Sequence, residues 1–258
     1  MDIGVYAGAM PIGPVARQSV ADQVFDQLLR AILTGENEPG TQLPPERELA
    51  TQAGVNRQAV REALQRLRQM GLVEIIHGGG ITVLDWRTSA GLALLPMLVV
   101  AHDTAVDPVV SRSIMELRAV IGADAARWCA TRSPAGTADQ LHALVDQMEA
   151  LEGDFSKWGL LGYSYWDAIV AGADNVAYLL AYNTLREVAV ALALAERMSP
   201  ALLRREWRQT DLYRQLAHAI EAGDADTSGR LAGVLLGAGV AAVNEWLTTL
   251  PADRPASA

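Results

Sequence analysis

Residues 43–83, LPPERELATQAGVNRQAVREALQRLRQMGLVEIIHGGGITV, restrict the possible folds more than any other stretch of the chain. Pro44-Pro45 open one helix-length segment, and Glu46 and Glu48 suit the positive end of its dipole. Gly54 closes that segment, and Asn56 caps the next, which should run to about Met70 before Gly71 stops it. Residues 72–76 and 81–84 are β-type runs around His77-Gly78-Gly79-Gly80, a hairpin signal. Upstream, Val24, Leu28 and Ile32 with Phe25 and Leu29 form one apolar stripe, predicting a helix over 20–33 with Ser19 as N-cap. Gly35 and Pro39-Gly40 end it. Three short helices followed by a glycine-tipped hairpin predict a winged helix-turn-helix.

The third helix carries two stripes side by side. Val60, Ala63, Leu64 and Leu67 share a face that should pack onto the first two helices. Arg57, Arg61, Gln65 and Arg68 lie on the neighbouring face. A cationic stripe beside a buried one is what a recognition helix needs: the apolar side anchors it while arginines reach guanine edges and phosphates. A solvated amphipathic helix is the bland reading of the same stripe. The Gly54 turn, the Asn56 cap and the hairpin that follows favour the DNA-reading one. In the wing, successive glycines let the tip lie close to a phosphate, and His77 can donate to a base edge or phosphate. Arg47 on the second helix would supply a positioning contact to the backbone.

The net charge of −9 argues mildly against nucleic acid if averaged over 258 residues, but a DNA-binding head needs only one basic face. The one cysteine, Cys129, falls in a helical pattern and reads as core filler. No disulfide framework is possible, no charged segment followed by a long apolar run opens the chain, and the most apolar run, 92–101, is broken by Pro96. A cytoplasmic protein without a membrane span is expected.

From about Ser89 the pattern is helical throughout. Seven helices are predicted at roughly 89–101, 107–132, 136–151, 155–172, 175–197, 200–221 and 225–248, with breaks at turn and cap residues between them. The expected organisation is a loose arm over 1–18, a winged helix-turn-helix over 19–86, an all-helical domain over 87–250 and a tail over 251–258. The fold class is mainly α, with the hairpin wing as its β component. No nucleophile–base pair, metal set or phosphate loop stands at useful spacing, so catalysis is not expected.

LPPERELATQAGVNRQAVREALQRLRQMGLV followed by HGGG resembles the GntR family of bacterial transcription regulators over about residues 17–85. The resemblance implies DNA contacts from Arg47, Asn56, Arg57, Gln58, Arg61, His77 and Gly78, and a homodimer on a palindromic double-stranded operator. An all-α domain behind such a head is similar to the FadR subfamily, many of whose members bind a metal through an Asp and three His. The positions that match those ligands are Gly162, Trp166, Tyr213 and about Leu235. Metal ions of that class need imidazole or deprotonatable donors, so no metal in the cavity and no cofactor is expected. His142 and His218 fall off the motif and read as surface or satisfied helix residues.

Gly, Trp, Tyr and Leu in place of Asp and His make the expected cavity apolar and aromatic, which suits a hydrophobic effector. The fatty-acid-responsive branch also lacks the metal ligands, and the chain resembles it at Trp86 to Leu92 and near Phe155. It departs from that branch's CoA-contacting pattern at Leu235, Leu236, Gly239 and Val243. A fatty acid or acyl-CoA is the favoured effector class, a small carboxylate metabolite or a domain that only dimerises the alternatives. Arg118 in MELRAV is the leading polar residue for the cavity, able to hold a carboxylate or phosphate, or else to pair with Glu116 or a neighbour. Tyr163, Trp166, Tyr182, Arg186 and Tyr213 complete the expected effector set, against the bland reading of aromatics as core. The glycines Gly233, Gly237 and Gly239 call for close helix packing or close ligand approach, with packing favoured.

Overall fold

A computed structural model describes residues 19–76, 78–99, 107–132, 135–151, 155–194, 205, 206 and 208–248. The predicted arm over 1–18, the tail over 251–258 and His77 lie outside the described residues. Two compact units divide the chain, with the boundary after Ser89, residues 33–35 aside.

The first unit starts with α1 (Val20–Leu33), the range that periodicity predicts. Ser19 caps it reciprocally with Asp22: the Asp22 amide donates to Ser19 Oγ at 3.0 Å and the Ser19 amide to Asp22 Oδ2 at 3.1 Å. Then come β1 (Gln42–Leu43), α2 (Glu46–Ala53), α3 (Arg57–Gln69), β2 (Val73–Ile76), β3 (Gly80–Val83) and α4 (Trp86–Ser89). Gly54 takes the left-handed conformation, φ 65°, that ends α2. Val24, Phe25, Leu29 and Ile32 of α1 and Val60, Ala63, Leu64 and Leu67 of α3 are all buried in the core of this unit. The stripe read from the sequence is therefore the core face. The wing is a three-stranded sheet, order β1-β3-β2, rather than a bare hairpin. Gln42 pairs with Thr82 across it, side chain as well as backbone, a strand too short to leave a periodic signal.

The second unit is helical. A single 3-10 turn (Leu92–Leu94) and α5 (Leu95–Leu98) replace the predicted helix over 89–101. The cause is local: Asp85 starts α4 early by accepting from the Arg87 amide, Gly91 is extended, and Pro96 can only begin a helix. After these come α6 (Pro108–Arg132), α7 (Thr137–Glu149), α8 (Phe155–Gly172), α9 (Val176–Leu194), α10 (Thr210–Glu221) and α11 (Ala225–Thr248). The predicted helix over 200–221 is not continuous: Arg205 and Glu206 are helical, a turn follows at Arg208, and the helix that runs to Glu221 starts at Thr210 with Gln209 as its N-cap at φ −99° and ψ 49°.

Helices α6 and α11 lie along each other, α8 and α10 pack on them, and α7 packs on α8 and α10. Small residues make the close approach possible. A Cβ on Gly122 would collide with Leu236, and one on Gly239 with Met115, whereas one on Gly237 would meet nothing within 4 Å. Gly239 thus lies against the tip of the Met115 side chain, whereas Gly237 has open space beside it. Cys129 is buried among these helices, and burial pushes its thiol up to about 11, which suits filler rather than a nucleophile. Among the described residues no helix is long and apolar enough to cross a membrane.

Candidate functional site

In the first unit, Asn56 Oδ1 accepts from the Ala59 amide at 2.9 Å and fixes where α3 begins. One turn on, Arg61 donates through Nε and NH2 to Glu46 at 3.3 and 3.0 Å, and Arg57 NH2 stands 4.0 Å from the same carboxylate. Hydrogen bonding to Glu46 raises the pKa of Arg61. Glu46 belongs to α2, so one acidic side chain gathers the two arginines at the N-terminal end of α3. Sequence reasoning saw Glu46 only as a dipole partner. Gln58 donates to Glu62 at 3.0 Å, and Arg47, Arg57, Gln58, Arg61 and Arg68 are all exposed.

Arg66 has a different role. It lies over the Phe25 ring, 4.0 Å from its centroid, and pairs with Asp22 at 2.5 Å, tying α3 to α1. At the wing, Gly78 and Gly80 take φ 77° and 98°, conformations that only glycine adopts freely. A Cβ on Gly79 would stand 2.7 Å from Ile76 Cγ2. Glycine at 78, 79 and 80 is therefore required by the backbone and its packing, and it also keeps that tip bare.

The second unit hides a polar cluster in its interior. Glu206 is fully buried, yet its carboxylate receives four hydrogen bonds. Arg118 of α6 donates from NH1 to Oε2 at 2.7 Å and from NH2 to Oε1 at 2.9 Å, a bidentate pair. Trp166 Nε1 of α8 and the Tyr213 hydroxyl of α10 donate to Oε1 at 3.1 and 2.8 Å. Burial opposes the Arg118 charge, but the Glu206 carboxylate outweighs it and raises the pKa. Burial and then Glu206 push the Tyr213 hydroxyl well up, so it stays a donor. Tyr165 donates to the Tyr213 carbonyl at 2.8 Å and holds α8 to α10.

Three expected effector residues, Arg118, Trp166 and Tyr213, thus converge on one point. Tyr163 and Tyr182 lie within electrostatic reach: burial raises both hydroxyls, and Arg118 pulls the other way. Arg186 does not join the cluster. It is exposed and pairs with Asp167 at 3.3 Å, because its position on α9 faces outward. Arg118 does not pair with Glu116, which sits 3.8 Å from Arg112 instead. The apolar interior expected from Gly162, Trp166, Tyr213 and Leu235 is corrected too. All four are buried, but the Trp and Tyr turn their N–H and O–H onto an anion. Glu206 was invisible to sequence reasoning: it lies 88 residues from Arg118, and no local spacing signals it.

Comparison with known proteins agrees with this architecture. Residues 20–83 match the model of bacterial regulatory proteins of the gntR family, and residues 113–238 match the FCD domain. The HTH-type transcriptional regulator Mce2R of Mycobacterium tuberculosis is 39% identical over 231 residues, 88% of this chain and 92% of that protein. A fatty acid metabolism regulator protein of Klebsiella pneumoniae is 28% identical, covering 81% of this chain and 84% of its own length. A putative L-lactate dehydrogenase operon regulatory protein of Escherichia coli is 29% identical over 82% of this chain and 81% of its own. Among solved structures, that of Lar, described as controlling expression of the Listeria monocytogenes agr system, covers 89% of this chain at a TM-score of 0.55 and 16% identity, a likeness of fold. With a winged head whose third helix carries the arginines outward and an FCD domain behind it, the chain belongs to the GntR family of bacterial transcriptional regulators.

Proposed function

We propose that this cytoplasmic regulator binds a palindromic operator as a homodimer, and that an acidic effector with an apolar body, a fatty acid in the first place, controls its affinity for DNA. Arg47, Asn56, Arg57, Gln58, Arg61, His77 and Gly78 form the DNA face. Arg57 and Arg61 read base edges and phosphates, Arg47 positions the backbone, and the bare wing tip approaches a phosphate. Glu46 keeps the two arginines extended until DNA phosphates compete for them.

The effector's chemistry rests on one observation: a fully buried carboxylate already sits on Arg118, Trp166 and Tyr213. Those donors suit a carboxylate head group. An effector carboxylate would replace that of Glu206, with its apolar body against Tyr163, Tyr182 and Trp166 and Arg186 at the margin. The release of Glu206 would move its segment, shift the helical unit to another packing and change the separation of the two heads in the dimer.

Two experiments test the halves separately. In gel retardation on a site selected from a random pool, the parent chain should give one dimeric shift, and Arg57→Ala and Arg61→Ala should each lose it while remaining folded. An unchanged shift in both variants ends the recognition-helix assignment. In a tryptophan-fluorescence titration, dodecanoate should bind, dodecanol should not, and Arg118→Met should abolish the response. A response to L-lactate instead would assign a short hydroxy acid, and one to acyl-CoA but not to the free acid would move recognition away from Arg118.

A further inference from the structure

Away from the interior cluster, α7 and α10 bring two imidazoles and a carboxylate to one point on the surface. His142 of α7 is half-buried; His218 and Glu221 of α10 are exposed. Glu221 Oε2 is 3.1 Å from His142 Nε2 and 3.4 Å from His218 Nδ1. The three donor atoms all lie within 4.8 Å of one another, and the two rings are 4.5 Å apart, tilted by 51°. From this geometry we infer a zinc site built by His142, His218 and Glu221.

Tetrahedral zinc holds imidazole nitrogen at about 2.0–2.1 Å and carboxylate oxygen at about 2.0–2.2 Å, which sets neighbouring donors roughly 3.3–3.4 Å apart. Two of the three edges, 3.1 and 3.4 Å, are already close to that length. The third is no longer than 4.8 Å, and His218 is exposed and free of a packed environment that would fix its ring. Two nitrogens and one oxygen are borderline donors, the set that zinc accepts, and the open side leaves a fourth position for water.

Backbone placement supports the same reading. His218 and Glu221 are three residues apart, on one face of one helical turn. They stand at the C-terminal end of α10, where the exposed carbonyls favour a cation. One turn earlier on α10, Arg214 reaches Asp146 and Glu149 of α7 at 2.7 and 3.0 Å, so the two helices are already held in register. The site is separate from the interior positions Gly162, Trp166, Tyr213 and Leu235, and it would staple α7 to α10 across 79 residues of sequence.

Untagged full-length chain, freed of metal by a chelator, should bind one Zn²⁺ per chain in a calorimetric titration. Zinc should raise the melting temperature, and chelator should reverse the rise. His142→Ala and His218→Ala should each weaken binding at least tenfold, since loss of a ligand costs no less than loss of an outer-shell partner. Tyr213→Phe should leave it unchanged. Co²⁺ should show the visible bands of a four-coordinate ion in the parent and not in His218→Ala. If zinc does not bind, or binds the parent and His218→Ala equally, the assignment is wrong. His218 is exposed, so that variant decides the question even if His142→Ala fails to fold.

Discussion

The two units each contain an Arg–Glu pair, and the two pairs are opposites. Arg61 and Glu46 meet at 3.0 Å with the arginine side chain 54% exposed. Arg118 and Glu206 meet at 2.7 Å with the arginine 15% exposed and the glutamate fully covered. In water, such a contact is weak and exchangeable, so the head can trade Glu46 for phosphate at little cost. In the interior, both charges have given up their hydration, and each depends on the other and on the Trp166 and Tyr213 donors. The same chemistry therefore serves display in one unit and locking in the other.

Removing one partner should separate the two most sharply. Glu206→Ala leaves the Arg118 charge buried and unpaired, and should cost about 3–5 kcal/mol in chemical denaturation of the second unit. Replacing both, as Arg118→Met with Glu206→Leu, should recover most of that stability while abolishing the fluorescence response to dodecanoate. If the single change proves as mild as an exposed one, the contrast fails. Arg61→Ala should reduce operator affinity about 10- to 100-fold and lower the salt dependence of binding by about one phosphate contact, with no change in melting temperature.

Smaller effects sharpen the reading of the head. Asn56→Ala removes the cap of α3 and should destabilise the first unit by about 1 kcal/mol, read by thermal denaturation. Glu46→Gln should leave stability unchanged and strengthen non-specific DNA binding several-fold, since two arginines lose their competitor. The least effect is in acid. Hydrogen bonds from Ser19, then Arg66, lower the Asp22 pKa. Its contribution is therefore present above the ordinary aspartate value of about 3.9 and lost as pH falls through the lowered one. Asp22→Asn should lower stability slightly at pH 7 and flatten its fall as pH drops below about 3.9, read by thermal denaturation across that range.

The head was legible because its signals are local. Gly54, Asn56 and Gly71 act on backbone within a few residues, and the stripe Val60, Ala63, Leu64 and Leu67 repeats within one helix. Even there, β1 escaped notice, because two residues carry no period and pair with a strand some forty positions on. In the second unit, helix spacing was readable, but 89–101 was not one helix, since Gly91 and Pro96 break a run that hydropathy alone joins. Arg118, Trp166 and Tyr213 were singled out from residue type and resemblance, and the point they share was hidden.

The sequence by itself determined the order of helices, the bare wing tip and the outward arginine face, because caps, turns and periodicity act over a handful of residues. Tertiary structure alone decided that Glu46 gathers Arg57 and Arg61, that Glu206 enters the interior to meet Arg118, and that His142 meets His218 and Glu221. Those contacts join residues 15, 88 and 79 positions apart, and charge pairing at such separations leaves no pattern along the chain.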